Sequence, residues 1–132
     1  MLEQAGHFAS DILAPLNASV DRQGFRYQEG RVLTPDGFAE AYQAFVEGGR
    51  PDWAGLDWTG LACSAEYSGQ DMPLLLNAAV LEILAAANHA WFMYRGIAHG
   101  AYECLNAHAP QWLRAYYLPR IVSGVAGQYG AD

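Results

Sequence analysis

A chain of 132 residues has room for one buried core, which argues against a complete multidomain enzyme. Hydrophobic residues make up 52% and charged residues only 16%, where an ordinary soluble domain has roughly 25% charged, so a disordered chain is excluded. The net charge is −7, every base is an arginine, and no basic face emerges, so nothing draws the chain toward nucleic acid or anionic lipid.

The first helix is expected over Leu2 to Ala14. Leu2, Ala5, Ala9, Ile12 and Leu13 recur at spacings of three and four, with Phe8 beside them and Pro15 as the stop. Asn17 to Leu33 reads as a long loop, and within it only Phe25 to Leu33 could hold a short hairpin. Thr34-Pro35-Asp36 reads as a helix start, with a capping hydroxyl, a first-turn proline and an acid at the positive end of the helix dipole. Phe38, Ala41, Tyr42, Phe45 and Val46 give that second helix its apolar face, and Gly48-Gly49 ends it. A loop then runs through Trp53 and Trp58 to a tight turn at Tyr67 to Pro73.

The third helix, Pro73 to Ala87, is apolar nearly all round, a pattern that predicts burial on several sides. Asn88 breaks or caps it. The fourth runs from His89 to about Ala107 with Trp91, Tyr94, Ala98, Ala101 and Leu105 on one stripe. The fifth starts at Pro110 with Trp112, Leu113, Tyr116, Tyr117 and Ile121 on its face, and Pro119 shortens or kinks it. The glycine-rich end, 125–132, is expected to fray. The fold class is therefore all-α, a bundle of about five helices, with one short β-hairpin allowed in the first long loop.

The stretch from Pro73 to Tyr94 is the most hydrophobic, but it holds Asn77, Glu82, Asn88 and His89 and reads as a core helix, not a membrane span. Met1-Leu2-Glu3-Gln4 has no positive n-region, so no secretory signal and a cytoplasmic location are expected. Cys63 and Cys104 lack zinc spacing and read as reduced thiols. His7, His89, His99 and His108 contain no pair at the helical spacing that holds a metal. No nucleophile elbow, phosphate loop or dinucleotide fingerprint occurs. Glu82 is the one acid in the third helix; a buried carboxylate there needs a partner, with Arg95, Arg114 and Arg120 as candidates. Trp91, Phe92, Met93 and Tyr94 read either as plain core, the commoner meaning of such a run, or as the lining of an apolar groove.

A resemblance adds to this reading. Gly60-Leu61-Ala62, then Glu66-Tyr67-Ser68-Gly69-Gln70-Asp71-Met72-Pro73, resembles the glycine-rich turn of the acyl-CoA dehydrogenase family. Leu81-Glu82-Ile83-Leu84 with Ala86-Ala87-Asn88, His99-Gly100-Ala101, and Tyr117 to Gly124 continue it. Upstream, Leu13 to Asn17, Asp21 to Gly24, Thr34 to Phe38 and Glu47 to Gly49 also fit. The likeness spans nearly the whole chain and is strongest to members like the 3-methylthiopropanoyl-CoA dehydrogenases.

The resemblance implies an FAD enzyme of three parts that oxidises the α–β bond of an acyl-CoA thioester, as in fatty acid metabolism. Residues 1–124 would be its N-terminal helical domain; the β-domain, the C-terminal bundle and the glutamate that acts as base would lie outside this sequence. The domain would form a wall of the acyl pocket without catalytic residues, and no flavin is expected on this chain alone. Its partners would be the acyl-CoA, the other family domains and, in a homo-oligomer, a further copy.

Carried over by position, Tyr67 and Gly69 would lie in the turn near flavin and thioester, and Phe92, Met93 and Gly96 would face the acyl tail. Ser68 and Asp71 depart from the pattern by standing where the family has glycine; glycine allows close backbone approach and positive φ, so an altered turn is expected there. The alternative is a non-catalytic helical module that docks a protein or binds an acyl group.

Overall fold

The computed structural model describes residues 1–48 and 58–125, apart from the side chains of Tyr94 and Arg95. Trp53, Gly49 and nearly all of the tail expected to fray lie outside the described residues.

The first helix does not stop at Pro15. Helix α1 (Leu2–Phe8) passes into a π-helical turn (Ala9–Leu13) and then into α2 (Ala14–Gln23) without a break. The Ala14 amide donates to the Ala9 carbonyl, the wide i−5 bond that marks a π turn. Pro15 follows directly on the π turn, whose i−5 bonding carries the helix past a residue that has no N–H to give. So the expected loop begins only at Gly24. The hairpin forms as expected: β1 (Arg26–Gln28) pairs antiparallel with β2 (Arg31–Leu33), Tyr27 opposite Val32. Its two-residue link, Glu29 at φ 52° and Gly30 at φ 84°, has the doubly positive backbone of a type I′ turn.

Helix α3 (Phe38–Val46) starts later than Thr34. The Asp36 carboxylate accepts from the Gln23 Nε2 at 2.9 Å, and the Asp36 N–H donates to the side-chain Oε1 of Gln23 at the same distance. That exchange ties the approach to α3 onto the end of α2 in place of a side-chain cap. Helices α4 (Leu74–Ala87), α5 (His89–His108) and α6 (Gln111–Val122) follow. Among the described residues the helices form five rods, with the hairpin set outside them.

Two cores hold the rods. The larger is aromatic: Phe45 meets Trp91 edge-on at 5.5 Å between ring centres, and Phe8 sits 5.8 Å from Phe45 and 6.0 Å from Trp91. Leu13, Leu61, Val80 and Leu84 close around them. The smaller core joins α5 to α6 through Tyr102, Leu118, Ile121 and Val122, with Cys63 and Tyr67. Tyr42 and Thr59 donate to the carbonyls of Gly124 and Val122, which pins the end of α6 to α3 and to the chain before the 60–73 turn.

Three patterns read from sequence are corrected. Helix α4 buries one stripe, Asn77, Val80 and Leu84, while Leu74 and Leu75 stand 64% and 82% exposed. That stripe, with Ile83 and Ala87 at its margin, packs into the larger core, and α4 meets α1, the π turn and α5. Glu82 lies on the outer side, so water solvates its carboxylate and no buried arginine partner is needed. Helix α6 packs by its C-terminal half, Leu118, Ile121 and Val122, and turns Trp112, Tyr116 and Tyr117 outward. Pro119 neither shortens nor stops it. On α5, Ala101 is exposed and Tyr102 takes the inner position instead.

Asn88 sits at the corner between α4 and α5 with extended backbone, φ −155° and ψ 94°. Its Oδ1 accepts from the Trp91 amide at 2.9 Å, capping α5, and its Nδ2 donates to the Leu13 carbonyl at 3.2 Å. Replacing Asn88 by Ala removes the cap and leaves a buried carbonyl without its donor. The expected cost is about 2–3 kcal/mol, read as a lower urea midpoint at unchanged m-value. An unchanged midpoint would show that the corner is held by something else.

Candidate functional site

The turn between residues 60 and 73 is built from its own backbone. The amides of Gln70, Asp71 and Met72 donate to the carbonyls of Gly60, Cys63 and Leu61 at 2.8–3.0 Å. Inside this frame lies a single 3₁₀ turn, Ala65–Tyr67. Ser64 serves it three ways. Its Oγ accepts from the Glu66 amide, and its carbonyl accepts from both Tyr67 at 3.0 Å and Gly69 at 2.9 Å. Its own N–H donates to the Tyr102 hydroxyl of α5 at 2.8 Å.

Two residues of the turn hold left-handed backbone without being glycine. Ser68 has φ 71° and Asp71 has φ 49°, both in the left-handed region. Gly69 is required for a different reason. A Cβ there would lie 2.1 Å from the Cys63 carbonyl oxygen, a contact no rotamer change relieves.

Helix α5 carries the second part of the candidate site. Phe92 is half-buried against the aromatic core, and its ring lies over Gly96, where an added Cβ would stand 3.2 Å from Cε1. Met93 is 47% exposed, and Ile97, four residues on, is 67% exposed. Met93 and Ile97 thus form an apolar ridge on the outer side of the helix.

The five residues named from the sequence fall into separate settings. Tyr67 is buried in the smaller core and Gly69 is wedged against Cys63, both in the turn. Phe92 and Gly96 are stacked on α5, and of the five Met93 is the large apolar side chain that reaches solvent. Sequence reasoning missed Ile97, although its spacing of four from Met93 was available. It also missed Tyr102 and Ser64, whose pairing leaves no local pattern.

Burial pushes the Tyr102 phenol above its ordinary 10.0, working against the Ser64 amide, whose hydrogen bond favours the phenolate. Tyr67 is raised as well, first by burial and then by Glu66, while the Arg114 guanidinium pulls the other way. Among the described residues no three His, Cys, Asp or Glu side chains gather to hold a metal. No helix among them is long and apolar enough to cross a membrane. The turn uses the Gln70, Asp71 and Met72 amides on its own carbonyls, so it offers no cradle of amides for dinucleotide phosphates. The side chains here fit an apolar wall and not a phosphate site, and no step through a flavin is derived from them.

The chain belongs to the acyl-CoA dehydrogenase family, matching the acyl-CoA dehydrogenase N-terminal domain over residues 1–125. It is 31% identical to 3-methylmercaptopropionyl-CoA dehydrogenase of Ruegeria pomeroyi over 93% of this chain and 20% of that protein. It is 30% identical to butyryl-CoA dehydrogenase of Syntrophomonas wolfei over 89% of this chain and 18% of that protein. The chain therefore spans about a fifth of the length of these curated relatives.

Two measurements check the site. Gly69→Ala should cost roughly 3 kcal/mol or more, because backbone must move, whereas Ser68→Gly should stabilise by about 0.5 kcal/mol by relieving its left-handed backbone. Equal effects of the two in urea unfolding would contradict the geometry. The tyrosines set a pH dependence. The fold holds their protons more tightly than the unfolded chain does. That stability is complete below pH 10.0 and is lost as pH rises through the raised folded values. Between about pH 9 and about pH 12 the melting temperature should fall less steeply in Tyr102→Phe than in the unaltered chain. Parallel curves would rule this out.

Proposed function

We propose that this chain is the helical wall of the acyl pocket in an FAD-dependent enzyme that oxidises the α–β bond of an acyl-CoA thioester. The acyl tail lies along the Met93–Ile97 ridge of α5, with Phe92 behind it and Gly96 leaving room for the Phe92 ring. The turn of Tyr67 and Gly69 closes the end nearer the thioester. A flavin held by other parts of such an enzyme would supply the hydride acceptor. Flavin phosphates and the proton-abstracting base come from other parts of the assembly. This chain contributes binding and exclusion of water, with no catalytic residue of its own. The reading places residues 1–124 as one domain, working with acyl-CoA and the remaining family domains.

The observation that carries the reading is the exposed Met93–Ile97 ridge on α5, in a chain that matches the family's N-terminal domain. Large apolar side chains on the outside of an otherwise well-filled helix ordinarily mark a binding surface. A second reading has its own support. Trp112, Tyr116 and Tyr117 stand 70%, 53% and 43% exposed on α6, and aromatics are enriched where proteins meet. A helical module that docks a protein partner would use that face.

The test is thermal denaturation of the chain with butyryl-CoA and with free CoA. A ligand at about 100 times its Kd adds about 2.7 kcal/mol to the folded state, so the melting temperature should rise with butyryl-CoA and stay put with CoA. Met93→Glu with Ile97→Glu should abolish the rise without unfolding the chain, since both side chains are on the surface. An equal response to both ligands, or an unaltered response in the double variant, would sink the acyl-wall reading.

A further inference from the structure

We infer that Tyr102 is a positioning residue, setting where the Tyr67–Gly69 backbone stands relative to the outer face of α5; this rests on the acyl-wall reading. The chain of contacts is short and each link is structural. Tyr102 is 1% exposed in the smaller core, and its hydroxyl accepts the Ser64 N–H at 2.8 Å. The Ser64 carbonyl in turn receives the amides of Tyr67 and Gly69. Gly69 is pressed against the Cys63 carbonyl, so the turn moves as a unit with Ser64.

Tyr102 belongs to α5, the same helix that carries Met93, Gly96 and Ile97. The hydroxyl therefore fixes the two parts of the wall in one frame. Its ring is held on the other side by His99, stacked at 6.4 Å with an interplanar angle of 9°, whose Nε2 lies 3.7 Å from Glu103. A hydroxyl placed between a packed core and a single backbone amide has one evident task. Phenylalanine would fill the same volume and leave the Ser64 amide without its acceptor.

The experiment compares Tyr102→Phe with the unaltered chain by amide hydrogen exchange and by butyryl-CoA binding. Exchange at Ser64, Tyr67 and Gly69 should speed by about tenfold while amides of α4 stay protected, since one lost hydrogen bond is worth up to about 1.4 kcal/mol. The Kd for butyryl-CoA should weaken about threefold to tenfold. Ser64 has φ −64° and ψ 140°, which proline can adopt, so Ser64→Pro deletes the donor itself. Tyr102→Phe should then add little to Ser64→Pro, whereas Ser64→Ala, which keeps the amide, should leave the Tyr102 effect intact.

Faster exchange across the whole chain, additive effects in the double variant, or unchanged butyryl-CoA affinity with a loosened turn would overturn the proposal. Failure of the unaltered chain to bind butyryl-CoA is a separate result. It would remove the acyl-wall reading, and the exchange and double-variant measurements would still decide whether the hydroxyl anchors the turn. If Ser64→Pro does not fold, the contrast between Tyr102→Phe and Ser64→Ala decides instead.

Discussion

The buried amide of Asn88 is the joint on which the arrangement depends. Without a break, residues 74 to 108 would run as one apolar rod, and α5 could not fold back into contact with α3. Asn88 makes the break and satisfies what the break exposes: its Oδ1 accepts from the Trp91 amide in the first turn of α5, and its Nδ2 donates to the Leu13 carbonyl in the π turn. A residue without a side-chain amide would leave two buried backbone groups to be desolvated for nothing. Because the cap is made to Trp91, it also sets the rotation of α5. The Trp91 ring then enters the aromatic core beside Phe8 and Phe45, and Met93 and Ile97 are carried to the opposite side.

The 60–73 turn solves a related problem by other means. A segment of that length without regular structure would ordinarily need side chains or water for its polar backbone. Here its carbonyls and amides answer one another across the loop, and Ser64 closes the circuit to α5. Two non-glycine residues, Ser68 and Asp71, are held at positive φ. Backbone of that kind persists only where the surroundings dictate it. Here both residues are tied by their own amides, Ser68 to the Ala65 carbonyl and Asp71 to the Cys63 carbonyl.

The hydrophobic content exceeds what these two cores can take up. Leu74 and Leu75 on α4, Met93 and Ile97 on α5, and Trp112, Tyr116 and Tyr117 on α6 all face outward. Scattered exposed apolar residues need no explanation, but paired ones on successive helices do. The acidic balance of the chain adds nothing to such contacts and keeps the remaining surface soluble.

Element type was legible in the residues because helical periodicity is local. The hairpin at Phe25 to Leu33, the stop at Asn88 and the run from His89 onward needed only spacing and turn chemistry. Which way each helix faces was not legible. Helix α4 is apolar all round, so its pattern cannot say that Val80 and Leu84 go in while Leu74 and Leu75 stay out. Likewise the aromatic side of α6 is the stronger stripe in sequence, yet the weaker Leu118–Ile121–Val122 edge is the one that α5 reaches. The continuation through Pro15 depends on a π turn that propensities do not announce. Sequence alone thus determined the class, the number of rods and the family, since these follow from local pattern and residue order. Tertiary structure decided burial, the pairing of Tyr102 with Ser64 and the outward ridge of α5, because those depend on which surfaces distant segments bring together.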